Sequence, residues 1–488
     1  MTVKIFFLMI YFIVPVCLTS QISAEKRLKD YVDLISRDKN FSGSLLSIKL
    51  INCDSGTTIF EFYPDLMMIP ASILKVITTG TGLINLGKDY FFRTSLFHDG
   101  TIAPDSVLNG NLYVVGGGDP SFGSKNFPKT LPDTVFKKIV QGLKNAGLTK
   151  INGKILIDNS YFDGIYSTSE TIHPSWEWED IGSHYGAGVH GLNFCENAFA
   201  AKILCKDSAK VEIRLEYPYS KTVMPEIVSD IIIVHKDSLA NVVSFSSPTG
   251  NKYVIRGEIP LGKELDLNCA LQNPSGVFEF WLKKYLNSNG ITIYKGIDSV
   301  SNRERRLITE IKSPPFHELA KFTNYVSNNL FADAVFKNIS KIKTGDASFS
   351  KSSENMTELL KSLKLNMQNI RIIDGSGLSR RNFVTTEFMC KYLRAVKAHI
   401  PDFHLFLPSP GTDKSTLRSF MSSYSGKENK ERIFLKSGSM TGVLNYAGYI
   451  VNKKGETMCV AIMTNNFIGK TKDLRPKLEK LIYLISEL

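Results

Sequence analysis

Hydrophobic positions along this chain change their pattern several times. From Ile5 to Leu18 nearly every residue is apolar, preceded by Met1-Thr2-Val3-Lys4 with its single charge and followed by the small and polar run Thr19 to Ala24. That is the order of a secretory leader, so residues 1–24 are expected to be removed on export. The run is short for the ~20 residues of a membrane-spanning helix. Val16 before Cys17 does not suit lipid attachment at that cysteine. Glu25 to Ser36 then has the spacing of an amphipathic helix. Two β-rich runs, Ser44 to Asn52 and Thr57 to Tyr63, flank Cys53-Asp54-Ser55-Gly56 and predict a hairpin. From Met68 to Leu86 the chain is apolar nearly all round, which predicts a buried helix. Pro70 can open it and Gly87 can close it.

Between about Phe91 and Arg306 the pattern breaks into short β-like runs and turns. Examples are Val114-Val115-Gly116-Gly117-Gly118-Asp119-Pro120 and the aromatic, glycine-rich stretch from Trp176 to Gly188. Neither end carries a Gly/Ser/Pro tract, so this β-rich stretch is expected to grow out of another domain. The final third predicts helices over Pro315–Ser340 and Asn355–Leu363. It also predicts strands over Ile433–Lys436, Tyr446–Val451 and Met458–Thr464, a turn at Asn452-Lys453-Lys454-Gly455, and a closing helix from Asp473 to Leu488. Strands near both ends with helices on the faces describe an α/β sandwich whose sheet is completed by both termini. At 488 residues the chain exceeds the ~250–300 at which one core stops growing. The expected division is a discontinuous domain of residues 25–91 and 307–488 around an insertion of residues 92–306.

Composition changes this picture little. A formal charge of +12 suits an anionic envelope surface, but Lys and Arg are scattered and no nucleic-acid module is present. The cysteines lack metal-ligand spacing; Cys195 and Cys205 are close enough in sequence to bridge. His184 and His190 lack a third ligand and read as loop or packing residues. Trp176 and Trp178, two apart, read as one inward face of a strand, and Asp119 as a turn cap.

Chemistry enters at the buried helix. Ser72 and Lys75 share a face at its start. A desolvated lysine can be neutral enough to take a serine proton, and the helix N-terminus favours both the neutral amine and a developing oxyanion. The spacing alone says little, since Ser36–Lys39, Ser340–Lys343 and Ser348–Lys351 share it. Two further elements add to it. Ser327-Asn328-Asn329 lies between helical patterns and offers a hydroxyl and an amide. Lys436-Ser437-Gly438-Ser439 ends an apolar strand, where a sheet edge can pair with an extended peptide and a lysine beside hydroxyls can hold a terminal carboxylate. The literal Lys343-Thr344-Gly345 follows a helix and opens a polar loop, so it is set aside, as is Ser353-Glu354-Asn355.

The order Ser-x-x-Lys, Ser-x-Asn, Lys-(Thr/Ser)-Gly is that of penicillin-recognising enzymes. Over most of its length the chain resembles the D-alanyl-D-alanine carboxypeptidase/endopeptidase family of low-molecular-mass class C penicillin-binding proteins. The likeness extends to Pro70-Ala71-Ser72, Gly110 to Pro120, Tyr185-Gly186-Ala187-Gly188 and Asp374 to Arg380, and to the more than 250 residues separating Ser72 from Ser327. It implies a penicillin-recognising serine transpeptidase/β-lactamase-like fold, no cofactor, and peptidoglycan stem peptides ending in D-Ala-D-Ala and β-lactams as partners. Ser72 would be the nucleophile, Lys75 its base, Ser327 the proton relay and Asn329 the holder of the substrate amide. Lys436 would tune the field, Ser437 and Ser439 would bind the carboxylate, and the backbone N–H groups of Ser72 and Ser439 would receive the oxyanion. Asn328 stands where the family often has Asp, and Ser437 where it usually has Thr. A β-lactamase and a non-catalytic wall- or β-lactam-binding protein remain the alternatives.

Overall fold

A five-stranded antiparallel sheet joins the two ends of the chain. In the computed structural model, which describes residues 23–39, 43–163, 170–206, 210–219, 224–294, 304–424 and 431–488, its strands are β1 (Leu45–Asn52), β2 (Thr58–Phe62), β3 (Ile433–Met440), β4 (Val443–Val451) and β5 (Thr457–Asn465). Their spatial order is β3-β4-β5-β1-β2. The expected leader lies outside the described residues but for its last two.

The inner strands are buried on both faces because each face carries helices. Alternation along β5 shows the division: Cys459, Ala461 and Met463 enter one core, Met458, Val460 and Ile462 the other. The first core packs α2 (Leu74–Asn85), α3 (Phe316–Val326), α4 (Asn329–Thr344), α5 (Phe349–Ser362) and α6 (Thr386–His399). The second packs α1 (Ala24–Ser36) against α7 (Thr471–Ser486). The expected α/β sandwich is the fold observed.

The intervening stretch has a core of its own. Its entering strand, Arg93–His98, pairs antiparallel with its leaving strand, Arg306–Lys312, so the two crossings lie side by side. Four small sheets are accompanied by the helices Pro132–Asn145 and Pro274–Ser288, which the β-rich reading had not anticipated.

Three other expectations change. Lys436 to Ser439 lies within β3 and not at its end, because pairing with β4 continues from Ile433 to Met440. Cys195 and Cys205 do not bridge each other: Ala198–Cys205 is one extended strand, and at ~3.3 Å per residue it carries them far apart. Trp176 and Trp178 do not share a face. Trp176 is buried, while Trp178 opens a short helix and is 64% exposed. Asp119 does cap a turn, accepting from Ser121 N at 2.8 Å and Ser121 Oγ at 2.6 Å.

Candidate active site

Ser72 reaches its position through a clamped bend. Asn465 Oδ1 accepts from Ile69 N at 2.7 Å, and Asn445 Nδ2 donates to the carbonyls of Ile69 and Pro70, both at 2.9 Å. β4 and β5 therefore grip the chain just before Ser72. Ala71 follows at φ +47°, a left-handed conformation that costs a non-glycine residue of order 1–3 kcal/mol. Ser72 then sits in the single 3₁₀ turn Ala71–Ile73 that leads into α2.

Lys75 is wholly buried in the first turn of α2. Its Nζ lies 2.8 Å from Ser72 Oγ and donates to Ser376 O at 2.7 Å. Burial pushes its pKa down to about 7, with Asp333 and Asp374 pulling the other way. A neutral amine at this distance can accept the Ser72 proton.

Ser327 is the left-handed residue (φ 62°, ψ 38°) between α3 and α4. Lys436 Nζ donates to its Oγ at 2.9 Å and to Ser437 O at 2.7 Å. Lys436 is also fully buried, and desolvation together with the charge of Lys75 drives its pKa well below the ordinary lysine value. Asn329 donates from Nδ2 to Tyr185 O at 2.7 Å, which leaves its Oδ1 to accept from an incoming amide. Ser439 faces the same cleft, whereas Ser437 Oγ is turned to Thr416 Oγ1 at 3.0 Å.

Gly438 explains the close fit of the strand to Ser72. A Cβ there would stand 2.7 Å from Pro70 O, 2.9 Å from Ile73 N and 3.0 Å from Ser72 N. Only glycine lets β3 lie against the 3₁₀ turn. The cleft between them holds about 310 Å³ and is lined by Ser72, Ser327, Asn329 and Ser439, with Tyr185 and Arg380 on its walls. Its outer part is acidic through Glu177, Glu179 and Asp180; Arg380 Nε meets Glu177 Oε1 at 2.6 Å.

Residues 28–484 match the D-Ala-D-Ala carboxypeptidase 3 (S13) family. The chain belongs to this family. Among curated S13-type relatives, the D-alanyl-D-alanine carboxypeptidase DacB of Haemophilus influenzae is 24% identical, over 90% of this chain and 88% of its own length. The D-alanyl-D-alanine carboxypeptidase of Actinomadura sp. is 21% identical over 91% and 81%. The crystal structure of penicillin-binding protein 4 (dacB) from Haemophilus influenzae superposes with a TM-score of 0.79 at 22% identity, covering 94% of this chain and 99% of that one.

Several residues of this S13 carboxypeptidase escaped the sequence reading. Asp333 Oδ1 accepts from Gly375 N at 2.7 Å and Ser376 N at 3.0 Å, which turns Ser376 O towards Lys75. Burial and the neighbouring Asp374 push Asp333 up to about 7, and its Oδ2 has no hydrogen-bond partner. Asp374 accepts from Gly377 N, Ser379 N, Asn382 Nδ2 and Trp176 Nε1 at 2.8 to 3.0 Å. Asp374 begins a segment that the family resemblance had singled out. Asp333, Asn445 and Asn465 carry no such mark; only a polar residue in an apolar helix or strand hints at them. The set-aside Lys343-Thr344-Gly345 ends α4, with Lys343 paired to Glu358 on the surface. Among the described residues no cluster of His, Cys, Asp and Glu is arranged to hold a metal ion, and no helix is long and apolar enough to cross a membrane.

Proposed function

We propose that this D-Ala-D-Ala carboxypeptidase works on peptidoglycan stem peptides by a Ser72 acyl-enzyme, in the periplasm or cell envelope. Residues 25–91 and 307–488 would form the catalytic domain, and residues 92–306 the insertion. The observation that carries the reading is the pair of buried lysines, each within 3 Å of a cleft serine: Lys75 with Ser72 at 2.8 Å and Lys436 with Ser327 at 2.9 Å.

Lys75 takes the Ser72 proton as Oγ attacks the carbonyl between the two D-alanines. Negative charge develops on that carbonyl oxygen, where the backbone N–H groups of Ser72 and Ser439 receive it. Ser327, beside Lys436, relays a proton: it gives its own to the leaving D-alanine nitrogen and regains the one Lys75 took from Ser72, which leaves Lys75 neutral again. Asn329 Oδ1 accepts from the substrate amide. Ser437 and Ser439 supply hydroxyls for the terminal carboxylate, Ser437 once it turns from Thr416, while buried Lys436 tunes the field around Ser327. Water then attacks the acyl-enzyme and releases the shortened peptide. The acidic outer cleft favours a stem peptide carrying an amino group on its side chain. A β-lactam presents the same carbonyl and carboxylate, so it acylates Ser72 and leaves slowly.

Incubating the mature protein with a D-Ala-D-Ala peptide and with a fluorescent penicillin, beside Ser72→Ala, tests this. D-alanine release and stable labelling, both lost in Ser72→Ala, are expected. Rapid penicillin turnover would instead mark a β-lactamase, and neither reaction a non-catalytic binder.

A further inference from the structure

The loop Ser327-Asn328-Asn329 is held from outside its own domain. Asn328 Nδ2 donates to Glu196 Oε2 at 2.9 Å. The other oxygen of Glu196 accepts from Ser124 Oγ and from Asn126 Nδ2. Asn328 Oδ1 meanwhile caps α4, accepting from Phe331 N at 3.2 Å. Both ends of the Asn328 amide are therefore engaged, one by its own helix and one by the segment inserted between Ser72 and Ser327.

The backbone that delivers Glu196 is strained. Cys195, Glu196 and Asn197 stand in succession at φ of +55°, +56° and +47°, and none is glycine. Buried Asn197 holds the turn: its Oδ1 accepts from Phe194 N at 2.9 Å, and its Nδ2 donates to Gly188 O at 2.8 Å and Asn193 Oδ1 at 2.7 Å. Three consecutive left-handed residues persist only where the surroundings over-determine them. A relaxed turn would carry the Glu196 carboxylate away from Asn328.

We propose that Glu196 is a positioning residue for the acyl-transfer reaction. Through Asn328 it fixes the backbone that presents Ser327 and Asn329. This rests on the reading of Ser327 and Asn329 given above, and it gives the insertion a part in positioning those two residues besides lining the cleft.

Reciprocal substitution tests it. Glu196→Gln keeps the shape but, with the amide oxygen kept by Ser124 and Asn126, turns a donor to the Asn328 amide. Asn328→Asp keeps the helix cap but sets carboxylate against carboxylate. Combined, the two restore a donor–acceptor pair with its polarity reversed. We expect each single variant to lower kcat for D-alanine release at least about tenfold with KM little changed, since sub-ångström misplacement of a catalytic group is felt at that scale. The double variant should return to within about threefold of wild type. A purely structural contact would lower Tm without this recovery. Single variants within threefold of wild type, or a double variant no better than the worse single, would overturn the proposal. Should Asn328→Asp not fold, Glu196→Ala decides by the same kcat loss at unchanged KM, or by its absence. A wild-type protein that neither labels with penicillin nor releases D-alanine would instead sink the acyl-transfer reading itself.

Discussion

Lys75 and Lys436 are both fully buried beside cleft serines, and the charge of Lys75 makes the proton of Lys436 harder to hold. A base must be neutral to act, and burial puts Lys75, the base proposed for Ser72, at about 7. Below that pH its neutral fraction falls about tenfold per unit, so acylation should rise with pH and level off above about 7. Second-order acylation by a penicillin, followed across pH 5 to 9, reads this limb; a midpoint near an ordinary lysine would refute Lys75 as base. Asp333 tugs against desolvation. Asp333→Asn keeps an oxygen for Gly375 N and Ser376 N but removes the charge that raises Lys75. Its acid limb should therefore move to lower pH, and a move to higher pH would contradict the assignment. The buried pair titrates together, so the profile reports the pair and not one group.

At the scale of elements, the fit of β3 to the turn before α2 governs the site. Gly438→Ala should cut acylation about a hundredfold, because a Cβ there meets three backbone atoms at 2.7 to 3.0 Å and must push the strand from Ser72. Unfolding should lose only about 1–3 kcal/mol, the usual cost of an overpacked methyl. Wild-type labelling by Gly438→Ala would show that the close approach is dispensable. Lys343→Ala should leave labelling unchanged and cost at most ~1 kcal/mol, since its ion pair with Glu358 is on the surface. The sandwich was legible in the sequence because its signals are local: β-rich apolar runs for the strands, an apolar helix behind Pro70, a turn at Asn452 to Gly455. The helices Pro132–Asn145 and Pro274–Ser288 were lost among turn signals, although both open on proline. The end of β3 was misjudged because Ser437 to Ser439 have little strand propensity, and pairing with β4 overrides it. Ser72, Lys75, Ser327 and Lys436 stand out as short motifs. Asp333, Asn445 and Glu196 act through contacts that no spacing reveals, since their partners lie far along the chain.

For the whole molecule, the stretch between residues 92 and 306 and the sandwich are sewn together at the site. Trp176 Nε1 donates to Asp374, Lys337 Nζ to Glu170 O, and Asn329 Nδ2 to Tyr185 O. Trp176→Phe removes one such stitch and leaves a buried carboxylate oxygen short of a donor. It should cost about 1–3 kcal/mol in denaturant unfolding, with a fall in penicillin labelling as the Asp374 to Ser379 loop loosens. Unchanged unfolding and labelling would show that the two parts are independent.

The order of the sheet also sets when the enzyme comes into being. Ser72 is among the early residues to be made, yet the side chain gripping the bend beside it, Asn465, lies 396 positions beyond Ile69. Asn445 and Lys436 arrive on the same late strands. A growing chain therefore carries Ser72 with Lys75 three residues on, but without the clamp on the bend before it. The clamp exists only once β4 and β5 have joined β1, and long-range pairing of this kind is slow. A chain clipped after α6 lacks Lys436, Asn445 and Asn465 and should be inert however well its helices fold.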